Sequence, residues 1–218
     1  QEREINRPVY VYDENSMYPD KMINNTLPYG IPVYTKGECI PTTDYPLYIQ
    51  RILVDLELKP KHMPTILQSN AMYSKLNYLD DTDGVMVELT LTNVDIELMR
   101  KHYIIHDIEY IDGYLFMGSD NLFKKYMLPV YDEKCNSERG GKRERAKLKL
   151  NGLYGKFATN PRRAKKIPIW NGEQVMYYTT ETELDRPIYT AVSSFITAYA
   201  RQDLFNAIQA NYDDFIYC

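Results

Sequence analysis

Lys147-Leu-Lys-Leu-Asn-Gly-Leu-Tyr-Gly155 carries its charge and its bulk at helical spacing. A rotation of about 100° per residue puts Arg143, Lys147, Asn151 and Tyr154 in one narrow stripe, beside an apolar stripe of Ala146, Leu150 and Leu153. The spacing predicts a helix with one face to bury and one polar working face. Two cations a turn apart suit a triphosphate, and the amide and phenol further along suit the sugar and base of the same nucleotide. Gly152 and Gly155 each weaken a helix by about 1 kcal/mol relative to Ala, which calls for a reason such as close approach to the backbone. Spacing alone leaves a second reading open, a basic amphipathic helix on the surface.

Upstream, residues 121–128 read as a first helix and residues 136–141 as a polar turn, so that with 142–157 they make an αα-hairpin. The charge is concentrated there. Residues 134–166 hold twelve Lys or Arg against Glu138 and Glu144, a net of +10 in a chain whose total is -4. A basic block on an acidic body is the footprint of a protein that tracks a phosphate backbone.

Near the start, the β-branched and aromatic run Val9-Tyr-Val-Tyr12 predicts a short strand ending on Asp13, and residues 18–24 read as a helix opened by Pro19. Between residues 25 and 122 the pattern is β-rich, with alternation through Ile52, Val54, Leu56 and Leu58 and through Val85, Val87, Leu89 and Leu91. Asn93 is placed to cap a helix over residues 94–103. This segment reads as a separate α+β insert. Ile167-Pro-Ile-Trp170 and Val175-Met-Tyr-Tyr178 flank Asn171-Gly172 and predict a β-hairpin. A long helix follows, with Val192, Ile196, Tyr199, Leu204 and Ile208 on its apolar side, and residues 214–218 begin a strand.

The bulk numbers exclude several classes. At 218 residues and 44% hydrophobic the chain suits a globular fold, and no apolar run approaches the roughly 20 residues needed to cross a bilayer. Cys39, Cys135 and Cys218 lie far apart with no CxxC pair, which fits a reducing compartment rather than a zinc site or a disulfide framework.

Two motifs carry a resemblance. Lys147-xxx-Asn151-Gly-x-Tyr154-Gly155 resembles the fingers motif KxxxNSxYG of family B DNA polymerases, and Asp13-xx-Ser16-Met-Tyr18-Pro19 resembles their DxxSLYP motif. Thr197-Ala-Tyr-Ala-Arg201 is similar to the TxxAR segment, and Phe215-Ile-Tyr-Cys218 to the strand that leads into YCDTDS. The resemblance implies an α+β fold, a palm of antiparallel sheet plus helices with an αα-hairpin for fingers. It implies that Asp13 and the main-chain carbonyl of Glu14 bind catalytic Mg2+ or Mn2+, two ions in the complete enzyme. Ser16, Arg143, Lys147, Asn151 and Tyr154 would bind the dNTP, and Tyr18 would close the sugar pocket against ribose. Gly155, Lys156, Phe157, Thr197 and Arg201 would contact primer-template DNA. Gly152 departs from the motif's serine, and Arg143 stands where a lysine is usual.

The long segment between the motifs, and a smaller one after Asn160-Pro161, resemble the two terminal-protein regions of the protein-primed branch of small bacteriophages and linear plasmids. That implies palm at 1–24 and 187–218, a first insert at 25–122, fingers at 123–161 and a second, hairpin insert at 162–186. A terminal protein is then an expected partner, and a bacterial cytoplasm the expected location. The aspartate pair of the family is expected directly after Cys218, so the chain alone is expected not to polymerise. Two rivals remain on composition. One is a non-catalytic module that binds nucleic acid or the terminal protein by charge and stacking; the other is a hydrolase using Asp13 and Glu14, disfavoured because adjacent strand residues face opposite ways.

Overall fold

The computed structural model describes residues 8–67, 78–160, 162–184 and 188–215. Its centre is a four-stranded antiparallel sheet in the order β1-β4-β2-β3, built from β1 (Leu27–Lys36), β2 (Leu47–Leu58), β3 (Val87–Thr92) and β4 (Tyr103–Ser119). Strand β4 lies between β1 and β2, pairing Tyr34 with Tyr114 on one side and Ile49 with Tyr114 on the other. Pro28, Gly30 and Pro32 fall in β1, which is tolerable because β1 is a sheet edge with one side free of ladder bonds. The register of β1 shifts between Tyr29 and Val33, where Gly30 takes φ 75° and a Cβ would strike the Met117 side chain.

Among the described residues there are five helices, α1 (Met17–Asn24), α2 (Asn93–His102), α3 (Lys124–Asn136), α4 (Gly141–Phe157) and α5 (Ala191–Ala210), of which α2 and α5 pack on the sheet. The alternating Ile52, Val54 and Leu56 of β2 meet Leu89, Leu91, Ile96, Met99 and Tyr103 in one apolar cluster. A second cluster joins Met22 of α1, Leu27 of β1, Val94 of α2, Met127 and Val130 of α3, Ala146 and Leu150 of α4, and Val192, Phe195 and Ile196 of α5. Chain segments from both ends of the sequence thus share one core, and α2 docks on α5 through Leu98, Phe205 and Ile208.

The helical hairpin forms, with different bounds. α3 begins at Lys124 and runs through Pro129 to Asn136, eight residues past the expected end at residue 128. Pro129 removes one amide, the partner of the Lys125 carbonyl, and both residues are exposed, so water can serve that carbonyl. In α2 the N-cap is Thr92 rather than Asn93: Thr92 Oγ1 accepts from the Asp95 amide, while Asn93 Oδ1 accepts from the Tyr48 amide of β2.

The hairpin β6 (Lys166–Trp170) and β7 (Val175–Thr179) pairs Trp170 with Val175, so Asn171-Gly172 sits in a four-residue loop. Asn171 Oδ1 accepts from the amides of Glu173 and Gln174 and closes that loop. At its base the two-residue strands β5 (Arg162–Arg163) and β8 (Glu183–Leu184) pair.

One local expectation fails. Residues 8–14 form no strand, and Val9, Tyr10, Val11 and Tyr12 are exposed. β propensity needs a neighbouring strand to act on, and among the described residues none pairs with this run. The expected strand at 214–218 falls largely on residues 216–218, outside the described residues.

Candidate active site

The two motif segments meet face to face. Ser16 precedes α1 in the left-handed region, φ 62°, and its carbonyl accepts from the Asp20 amide to start the helix. Its hydroxyl makes no cap; instead Lys134 of α3 donates to it. Two residues on, Tyr18 stacks on Tyr154 of α4, ring centroids 4.2 Å apart and planes 16° from parallel. Atoms in contact need about 3.5–4.0 Å, so no base fits between these rings as they lie; a nucleotide meets their edges or moves them. Burial and the neighbouring Tyr18 hydroxyl push the Tyr154 phenol above its ordinary pKa.

On α4 the apolar stripe is buried, with Ala146 and Leu150 in the core and Leu153 packed beside them. The polar stripe stays accessible: Lys147 and Asn151 are exposed and Arg143 is half-buried. Neither Arg143 nor Lys147 has an ion-pair partner among the described residues, whereas Arg145 lies 3.7 Å from Glu133. Lys134, which the sequence reading passed over, adds a third cation at the Ser16 end. Its signal was weak, a lysine within a helix whose bounds were misplaced. Among the described residues a Cβ at Gly152 or Gly155 would meet nothing within 4 Å, so no packing between them requires these glycines.

Asp13 is exposed and has no hydrogen-bond or ion-pair partner among the described residues. It stands in an irregular loop rather than at a strand end. A free carboxylate followed by an accessible main-chain carbonyl is the oxygen donor chemistry that Mg2+ or Mn2+ takes, and it fits as part of a coordination shell. The Glu14 side chain turns away from Asp13. Its carboxylate lies 3.4 Å from Lys21 Nζ, which also holds Asp20 at 2.8 Å and Asp203 of α5. Oxygens of the three acids come within 4.8 Å of one another around that ammonium. Burial disfavours the Lys21 charge, but the hydrogen bonds it donates to Asp20 and Asp203, with the attraction of those carboxylates, outweigh it and hold the pKa above the ordinary lysine value. Spacing gave no sign of this cluster, because Asp203 arrives from a distant helix.

The remaining candidates are dispersed. Gly155 and Lys156 are exposed at the end of α4, while Phe157 packs edge-on against Phe123 at 5.3 Å, at the base of the hairpin. The Thr197 hydroxyl bonds the carbonyls of Ser193 and Ser194 within α5. Arg201 donates from Nε and Nη2 to Asp95 of α2, at 2.8 Å in the shorter contact. The sheet thus positions α2 against α5, α5 against α1, and α1 against α4. Among the described residues no helix is long and apolar enough to cross a membrane.

The chain is 41% identical over its whole length to the DNA polymerases of Bacillus phages Nf and phi29, and 32% identical over 99% of its length to that of Streptococcus phage Cp-1. It spans 38 to 39% of those relatives' length. Its fold matches phi29 DNA polymerase solved with primer-template DNA and incoming nucleotides at a TM-score of 0.86 and 41% identity, covering 94% of this chain and 36% of that one. The model of DNA polymerase type B, organellar and viral, matches residues 1–218, and the chain belongs to that family.

Proposed function

We propose that this chain forms the palm and fingers of a protein-primed, DNA-templated DNA polymerase, which joins dNTPs to a primer hydroxyl. The stacking of Tyr18 on Tyr154 carries this reading, because it brings the two motif segments into contact, with Arg143 and Lys147 on the same helix as Tyr154 and without ion-pair partners among the described residues. Arg143, Lys147 and Lys134 would bind the triphosphate, with Ser16 donating its hydroxyl. Asn151, Tyr154 and Tyr18 would bracket base and sugar, Tyr18 standing against a ribose 2′-hydroxyl. Asp13 and the Glu14 carbonyl would hold Mg2+ or Mn2+, which when bound polarises the primer hydroxyl and the departing pyrophosphate.

Primer-template DNA would run past Gly155 and Lys156 at the end of α4, with Thr197 and Arg201 toward the palm. The +10 charge of residues 134–166 supports that path. In the same reading residues 25–122 face a terminal protein that supplies the priming hydroxyl. The hairpin at 162–186, exposed along both strands where described, closes over DNA. The setting is a bacterial host's cytoplasm.

The test is a chimera in which this chain replaces the matching segment of phi29 DNA polymerase. Primer extension with Mg2+ and dNTPs is expected, and Asp13→Asn should lower it by about 10³-fold or more. A folded chimera that binds primer-template yet incorporates nothing would favour the non-catalytic binding module.

A further inference from the structure

The loop that carries Asp13 has no partner strand among the described residues; its end is held where the Ser16 carbonyl accepts from the Asp20 amide and Lys134 donates to the Ser16 hydroxyl, which leaves Asp13 and Glu14 to be placed by other contacts. Residues 8–12 before it are exposed, and Ser16 at its end has a backbone conformation that L residues rarely adopt. One side chain ties the loop to the palm helices. Lys21 lies on α1, one turn beyond Tyr18, and only 4% of its surface is exposed. Its ammonium has three donors, and the structure uses them on three acids from three places: Glu14 in the loop, Asp20 on α1 and Asp203 on α5. Asp203 is anchored by a helix whose Phe195, Ile196 and Phe205 are fully buried, so the tie runs from the core to the loop.

We propose that Lys21 is a positioning residue, whose bridge from Asp203 to Glu14 fixes the Asp13–Glu14 backbone beside the Tyr18–Tyr154 pair. A buried lysine is costly unless its donors are satisfied, and a hydrophobic residue of similar volume would pack there without the desolvation. The charge is therefore doing something that packing does not require. The Glu14 contact is the longest of the three at 3.4 Å, which makes it the arm that can be cut without loosening α1 from α5.

This inference rests on the polymerase reading only for its catalytic consequence, and the test separates the two. In the metal-free 218-residue chain, backbone 15N order parameters are measured at residues 13–16 in wild type, Glu14→Gln, Asp203→Asn and Lys21→Met. Wild-type values near 0.85 should fall below about 0.6 at Asp13 and Glu14 in Glu14→Gln and Lys21→Met, while those of β2 stay unchanged. Asp203→Asn, at an exposed site, should show the same fall in smaller measure and covers the case in which Lys21→Met does not fold. In the phi29 chimera, Lys21→Met should lower kcat, taken per active site titrated by primer-template binding, ten- to a hundredfold with KM for dNTP within twofold; counting only binding-competent sites removes the effect of a general loss of folded protein. Unchanged order parameters at Glu14 in the folded variants overturn the proposal, as does an unchanged kcat. A chimera inactive with the unaltered segment overturns the polymerase reading, and the order parameters still decide the anchor.

Discussion

Tyr18 and Tyr154 lie stacked 4.2 Å apart, one on the first helix of the chain and the other on the second helix of the basic hairpin. The pair joins the two motif segments and excludes water from the ring faces in contact. Aromatic pairs contribute about 0.5–1.5 kcal/mol beyond the area they bury, and this contribution comes from the ring rather than the hydroxyl. In the chimera, Tyr154→Phe should leave the KM for dNTP within about twofold, whereas Tyr154→Leu should raise it roughly 2- to 10-fold. Equal effects of the two substitutions in steady-state kinetics would remove the stack from the account.

Gly152 and Gly155 make an opposed pair of effects testable. Each stands in α4 with open space where a Cβ would go. Gly152→Ala should therefore stabilise the chain by up to about 1 kcal/mol in urea unfolding. If nucleotide or DNA passes close to that backbone, the same methyl should lower the rate of primer extension. A variant that gains stability and keeps full activity would show that nothing approaches there.

Much of this was legible because it depends on local periodicity. The polar stripe of α4, the apolar side of α5 and the alternation of β2 appear at their own spacings, and each element forms where its pattern lies. The motif residues at 13–19 came from the family resemblance rather than from periodicity, and Tyr18 meets Tyr154 of the second motif in the fold. What sequence hid is tertiary. β1 was obscured by Pro28, Gly30 and Pro32, which an edge strand tolerates and a propensity reading rejects. Pro129 hid the second half of α3 because an exposed carbonyl can lose its amide partner to water at small cost. Val9-Tyr-Val-Tyr12 misled in the other direction: its composition suits a strand, and none of the described strands pairs with it. The Lys21 bridge and the Asp95–Arg201 pair link residues far apart in sequence, so no spacing rule reaches them.

Asp95 and Arg201 join α2 to α5 through two guanidinium nitrogens, with the carboxylate nearly buried. Removing one partner leaves the other desolvated and unpaired, which costs more than the pair contributes. Asp95→Ala should lower stability by about 2–4 kcal/mol in chemical unfolding, and Asp95→Asn by less, since it keeps an acceptor. A loss under about 0.5 kcal/mol for Asp95→Ala would mean that the pair is decorative. Because Arg201 is engaged in this way, the proposed contact with DNA would require sharing or release of the guanidinium, and in that reading Asp95→Ala should raise the salt sensitivity of primer-template binding.

His102 ends α2 fully buried, its ring edge-on to His62 at 5.2 Å, and neither ring nitrogen of His102 has a hydrogen-bond partner among the described residues. Burial first, then His62, Lys101 and Lys59, hold its pKa down to about 4, against 6.5 for an ordinary histidine. The folded chain thus keeps His102 neutral where the unfolded chain protonates it. Between pH 6.5 and 4 the unfolded state binds the extra proton, so stability from this group is complete above pH 6.5 and is lost as pH falls toward 4. The loss amounts to about 3 kcal/mol at most across that window. Urea unfolding at pH 7 and pH 4.5 should show the drop, and His102→Leu should flatten the part of the slope that exceeds the carboxylate contribution. Equal pH slopes for wild type and His102→Leu would mean that the ring is already protonated, or paired, in the folded chain.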